Sequence, residues 1–347
     1  MQELHYDKKG CSHFTDCYRG SNHIRGNIWE NVFGQDYMKP RAKIALYTAV
    51  FIVVFLLSAV IRIQQLGSAP MKLLAVDWDD TVGTIYKDLG YENANGHKYD
   101  LYLPQELDKN EPQYLILYIH GGSFNSGAKE DGEAWCKFYA SKGYITATVD
   151  YTLQNQGNDA SINLMNAEIE NAVKAIKEMT DSLDYHVEAM AYCCVSAGGT
   201  LAMNLAYGNN SVIPVEFVFQ LAAPAYFEPD DWELLMKVNG WESKEEFLRQ
   251  MTGAELCGED YIPEIEKISP ASQVTVNAPP TLMGYGLIDH CVPLNQKFYL
   301  MNALKEHDVI YEYIEFPKSN HGMYNDLDKL QLFIDKSLEY CELYLKQ

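Results

Sequence analysis

Beyond residue 80, short apolar runs of strand length alternate with stretches that pattern as helices, and few folds accommodate that alternation. Residues 114–119 (YLILYI) and 144–150 (YITATVD) are almost continuously apolar. Such runs suit strands buried on both faces, as parallel strands are when helices cover them. Residues 189–195, 215–221, 281–285 and 310–316 read the same way. Residues 99–103 alternate and stop at Pro104, as an edge strand does. Between these runs, Asn158 or Asp159 is placed to cap a helix reaching about Met179, with Ile162, Leu164, Ala167, Ile169 and Val173 facing inward. Another helix starts at Ala197, and a closing one runs from about Asp326 to Leu345. Repeated strand–helix–strand units imply an α/β fold: a mainly parallel sheet with helices on both faces.

Chemistry-bearing residues fall at the ends of these strands. Cys194-Val-Ser196-Ala-Gly198-Gly199 lies where a strand turns into a helix, the setting a nucleophilic serine needs at the tip of a strained turn. The turn demands small residues two positions to either side; Gly198 meets this, and Cys194 stands where glycine is usual. His120-Gly121-Gly122-Ser123-Phe124 follows another strand, 76 residues before Ser196. Glycines there let a loop aim backbone N–H groups at a developing oxyanion. Asp289 follows the run TLMGYG, and His321 follows YEYIEF. Both therefore reach the carboxyl edge of the sheet, where such sheets build their sites. The order Ser, Asp, His is the one associated with this arrangement.

Residues 83–347 resemble the α/β-hydrolase superfamily, in its esterase/lipase branch similar to hormone-sensitive lipase and small bacterial carboxylesterases. The resemblance rests on KYDLYLP (98–104), HGGSF (120–124), SAGG (196–199), DHCVP (289–293) and NHG (320–322). Two departures stand out. Ser123 occupies the position of a third glycine, and Cys194-Val195 replaces the usual Gly-Asp. The resemblance implies a serine carboxylesterase with Ser196 as nucleophile, His321 as general base and acid, and Asp289 as the orienting acid. It also implies an oxyanion hole from the N–H groups of Gly122, Ser123 and Ala197, with Gly121 shaping the loop. The same triad serves amidases and peptidases, and a non-catalytic binding protein on this fold is the further alternative. Residues 226–268, acidic, aromatic and helical, suit a lid. No cofactor and no metal is expected. Cys193 and Cys194 read as small buried strand residues, and His120 as an organiser of its loop.

The N-terminal part differs in kind. Residues 44–61 (IALYTAVFIVVFLLSAVI) carry no charge and would span about 27 Å as a helix, close to a bilayer's hydrocarbon thickness. Arg25, Lys39, Arg41 and Lys43 precede the run, against Arg62 and Lys72 after it, which places the N-terminus in the cytoplasm and the large domain outside. The expected organisation is a poorly ordered segment 1–43, an anchor 44–63, a linker 64–82 and the hydrolase domain 83–347. A secreted protein translated from Met38 is the competing account. A net charge of −21 excludes nucleic acid as a natural partner, because neutralising phosphates takes a surplus of Lys and Arg. The expected partners are a membrane and a small-molecule or glycan-linked ester; the 25 tyrosines fit a sugar cleft or ordinary packing equally well. Cys11, His13, Cys17 and His23 cluster at a spacing that matches no standard zinc pattern. Residues 71–82 (MKLLAVDWDDTV) resemble the first motif of haloacid-dehalogenase-like phosphatases, an apolar strand followed by DxDxT, but that class also needs a downstream lysine and a further acidic pair on a sheet of its own, and the sequence holds no GDxxxD.

Overall fold

The computed structural model describes residues 39–92, 97–154, 160–208, 211–254 and 261–346. The Cys11–His23 group and Cys257 lie outside them. The chain divides into two units, Met1–Gln64 and Gln65–Gln347. Of the first, the described part is the start of helix α1 (Pro40–Leu73), which continues past the expected anchor and through the first half of the expected linker. Its window Arg41–Ser58 is long and apolar enough to cross a membrane, and none of that window is buried.

The second unit is built on an eight-stranded sheet: β1 (Gly83–Gly90), β2 (Lys98–Pro104), β3 (Gln113–Ile119), β4 (Ile145–Val149), β5 (Val187–Val195), β6 (Val215–Leu221), β7 (Thr281–Gly286) and β8 (Tyr311–Phe316). In space the order is β1-β2-β4-β3-β5-β6-β7-β8. The β1/β2 and β2/β4 pairs are antiparallel and the rest parallel. β2 is thus not the edge strand its alternation suggests. β1 lies outside it, so β2 is buried along nearly its whole length.

The helices are α2 (Glu133–Ala140), α3 (Ile162–Ser182), α4 (Ala197–Gly208), α5 (Glu233–Asn239), α6 (Lys244–Thr252), α7 (Ile262–Ile268), α8 (Pro270–Gln273), α9 (Gln296–Glu306) and α10 (Leu327–Tyr340). They cover both faces of the sheet. Alternate residues of β3 show why its sequence is continuously apolar. Leu115, Leu117 and Ile119 pack with Ile162, Ile169 and Leu201 on one face, while Ile116 and Tyr118 pack with Trp135, Tyr139 and Phe333 on the other. Both faces are core.

Helix α3 starts later than Asn158 or Asp159, which lie outside the described residues. Its cap is Ser161, whose hydroxyl accepts from Leu164 N at 3.3 Å. The stripe that begins at Ile162 then runs through Met165, Ile169, Ala172, Val173 and Ile176 at helical spacing. Leu164 and Ala167 fall outside that stripe and are exposed, contrary to the expectation. The expected lid forms a 3₁₀ turn followed by α5, α6 and α7, and its Phe227, Trp232, Phe247, Met251 and Ile265 are buried in the first of the two cores. Residues 74–80 form no strand, and Asp79 accepts hydrogen bonds from the N–H and hydroxyl of Thr81 in an exposed turn. The phosphatase-like motif therefore lacks the strand its chemistry requires.

Candidate active site

Ser196 follows β5 directly and precedes α4. Its φ of 54° is the left-handed conformation that side chains seldom adopt. The turn is held because Ser196 N donates to Leu221 O, and Gly199 N to Ser196 O, each at 2.8 Å. The close approach of α4 to the end of β3 explains Gly198, and its approach to the segment after β6 explains Gly199. A Cβ on Gly198 would lie 2.2 Å from Ile119 O, and one on Gly199 would lie 2.4 Å from the Ala223 Cβ. Cys194 fits on the other side of the turn, its Sγ 3.5 Å from Phe219 O. Burial pushes the Cys193 and Cys194 thiols far above their usual range, so both stay protonated and inert, as small core residues do.

Three side chains remote in sequence meet here. His321 Nε2 lies 2.9 Å from Ser196 Oγ, and His321 Nδ1 lies 2.8 Å from Asp289 Oδ2. Asp289 Oδ1 accepts from Cys291 N at 2.7 Å and Val292 N at 3.0 Å. With an ionised carboxylate able only to accept, Nδ1 carries the imidazole proton and Nε2 faces the serine hydroxyl as an acceptor. The Asp289 side chain is 2% exposed and that of His321 26%, so the carboxylate is sheltered while the ring edge remains reachable. His290, next to Asp289, is exposed.

The loop after β3 lies against this serine. A Cβ on Gly121 would sit 3.1 Å from Ser196 Cβ and 2.8 Å from Val195 O. Gly122, Ser123 and Phe124 all have positive φ, which curls the loop. Among the described residues, the N–H groups of Gly122, Ser123 and Ala197 donate to no protein partner. Unpaired N–H groups beside a nucleophile's position are what an oxyanion hole requires. His120 donates from Nδ1 to Gly121 O at 2.7 Å and stacks on Tyr151, with 4.2 Å between ring centroids. Burial holds its pKa below the usual histidine value. Its bond and stack hold the loop after β3.

Several supports carry no sequence signal. Tyr151 OH donates to His120 O, and Gln154 N donates to Phe124 O at 2.7 Å. The Gln154 side chain reaches Gln250 O on α6 at 2.6 Å, Phe124 packs 6.0 Å from Phe227, and Asn125 bonds to Asn239. These contacts tie the loop after β3 to α5, α6 and the residues that precede them. Asp326 accepts from Lys318 N and Ser319 Oγ, fixing the loop that presents His321.

Residues 99–304, more than half of the chain, match the BD-FAE family. This chain belongs to that family, within the α/β-hydrolase superfamily. Solved structures similar to this BD-FAE member include esterase B of Lactobacillus rhamnosis, with 14% identity, a TM-score of 0.61 and coverage of 84% of this chain and 96% of that one. A truncated carbohydrate esterase from gut microbiota matches with 17% identity and a TM-score of 0.60, covering 75% of this chain and 99% of that one. At such identities the likeness concerns the fold. Among curated proteins, kynurenine formamidase of Danio rerio is 27% identical over 115 residues, 33% of this chain and 36% of that protein. A probable dipeptidyl-peptidase 5 of Aspergillus flavus is 22% identical over 256 residues, 69% of this chain and 33% of that protein. The chain thus spans about a third of the length of the curated relatives it matches.

Proposed function

We propose that this protein is a membrane-anchored serine esterase. The observation that carries the reading is the unbroken relay Ser196–His321–Asp289, with hydrogen bonds of 2.9 and 2.8 Å, beside three unpartnered N–H groups. In this reading His321 takes the Ser196 proton as the hydroxyl attacks an ester carbonyl, and Asp289 stabilises the imidazolium that results. The N–H groups of Gly122, Ser123 and Ala197 stabilise the tetrahedral oxyanion. His321 then protonates the departing alcohol and, in a second cycle, activates the water that releases the acid from Ser196. The segment 226–268 is the cover under which the acyl or alcohol part binds, held to the oxyanion loop through Gln154 and Asn239. The substrate is a small-molecule or glycan-linked ester, the latter supported by likeness to a carbohydrate esterase.

Amide hydrolysis is the second reading, favoured by the similarity to proteins named formamidase and dipeptidyl-peptidase. One assay separates these. The full-length protein is given p-nitrophenyl acetate, p-nitrophenyl butyrate and p-nitroanilide amides, beside Ser196→Ala. Ester hydrolysis abolished by the substitution is the expected result. Anilide cleavage exceeding ester cleavage would favour the amidase, and equal rates in both proteins would refute the serine mechanism.

A further inference from the structure

Cys291 stands two residues beyond Asp289, on the surface of the loop that follows β7. It belongs to neither the relay nor the core, yet it lies with them. One ligand atom each from Asp289, Cys291 and His321 (a carboxylate oxygen, the thiol sulfur and a ring nitrogen) are all within 4.8 Å of one another. Among the described residues, no other group of three such side chains is so arranged. The set of one sulfur, one nitrogen and one oxygen is the mixed, borderline-soft environment that Zn²⁺ prefers, and Mg²⁺ and Ca²⁺ avoid sulfur. A tetrahedral zinc ion with bonds of about 2.0–2.3 Å spaces its donors by roughly 3.3–3.8 Å, so the most distant of these atoms must close by about an ångström, while Asp289 Oδ2 and His321 Nδ1, 2.8 Å apart, must open by about half an ångström. The exposed sulfur gives an ion an entry path.

We propose that Cys291, His321 and Asp289 form an inhibitory site for Zn²⁺ or a similar thiophilic divalent cation, which shuts off the proton relay when occupied. The inhibition rests on the serine-hydrolase reading, whereas the site itself does not. Binding releases the Cys291 proton to solvent and leaves a metal-bound thiolate. A metal on Nε2 removes the acceptor of the Ser196 proton. A metal on Nδ1 displaces the proton shared with Asp289 to Nε2, and the wrong tautomer then faces the serine. Either way Ser196 loses its base, with no covalent change to the protein, so a chelator reverses the effect.

The test uses the full-length protein and its Cys291→Ser and Cys291→Ala variants, each shown to fold by near-ultraviolet circular dichroism. Co²⁺ replaces Zn²⁺ as a visible probe, and thiolate-to-cobalt absorption reports sulfur ligation directly. Cys11, Cys17 and Cys257 are present in all three proteins, so the difference between them isolates Cys291. The expected result is an absorption band in the parent that both variants lose and that added Zn²⁺ displaces. Zn²⁺ should also inhibit p-nitrophenyl acetate hydrolysis by the parent, reversibly with EDTA. Measured against each variant's own zinc-free rate, that inhibition should require at least about tenfold more zinc in the variants. Identical absorption in all three proteins would overturn the site. A Cys291-dependent band without inhibition would overturn the shut-off. A parent that hydrolyses no ester leaves the band to decide the site, and the esterase reading fails separately.

Discussion

An added methyl group at Gly198 would meet Ile119 O at 2.2 Å and His120 O at 2.5 Å, and neither backbone atom can withdraw without moving β3. Gly198→Ala should therefore destabilise the protein by about 1–3 kcal/mol and displace Ser196 from its acceptor. Gly90→Ala, where nothing lies within 4 Å of the new Cβ, should be close to neutral; thermal denaturation of the two side by side checks this. His120 yields a pH effect. Its folded pKa is lowered by burial, while the unfolded value is about 6.5. Between the two, the unfolded chain binds more protons, so the stability His120 contributes is complete above about 6.5 and lost as pH falls toward the folded value. His120→Asn keeps a donor for Gly121 O but cannot charge. The stability difference between parent and variant should shrink steadily in urea titrations as pH is lowered below about 6.5. The meeting of Ser196, Asp289 and His321 is legible in the sequence because each residue follows an apolar run of strand length and so reaches the carboxyl edge of the sheet. The roles of Tyr151, Gln154 and Asp326 are not, since a tyrosine or glutamine that supports a loop is the same letter as one that merely packs.

The same contrast recurs among the elements. β3, β5, β6 and β7 are flanked by helices on both faces, so nearly every residue is apolar and their boundaries are accurate to a residue or two. β1 (GTIYKDLG) is an outer strand with mixed burial and a register shift between Tyr86 and Leu89, so it carries neither a continuous apolar run nor a clean alternation, and no strand is expected there from sequence. What holds that edge is equally hidden. Lys129, at the far end of the oxyanion-side loop, has a side chain only 3% exposed, with Nζ 2.9 Å from Asp100 on β2, 3.2 Å from Asp88 on β1 and 2.7 Å from Glu130. Asp100 is 1% exposed, so its carboxylate depends on this partner. Lys129→Met should cost about 3–5 kcal/mol by leaving that charge buried and unpaired. Adding Asp100→Asn, which keeps an acceptor for Asp88 N, should recover much of the loss. Chemical denaturation of the single and double variants measures the coupling, and additive effects would show the pair to be independent.

At the scale of the whole molecule, the two units make opposite demands on their surroundings. Gln65–Gln347 encloses two apolar cores, one on each face of its sheet, and the chain carries 48 acidic residues against 27 basic ones. Such a body is content in water. In Arg41–Ser58, by contrast, Ile44, Tyr47, Phe51, Val54, Phe55 and Leu57 are each more than half exposed and no residue of the window is buried. Holding that much apolar surface in water costs about 25 cal/mol for every Å², which lipid removes. The full-length protein should therefore sediment with membranes and stay there through alkaline carbonate washing. The excess of basic residues before the helix further predicts that protease added to intact cells reaches the hydrolase domain. Intact N-terminal sequence on protein recovered from the membrane pellet is the deciding observation. A soluble product that begins beyond residue 61 would instead identify the apolar run as a cleaved signal, and would favour secretion from a start at Met38 over a permanent anchor.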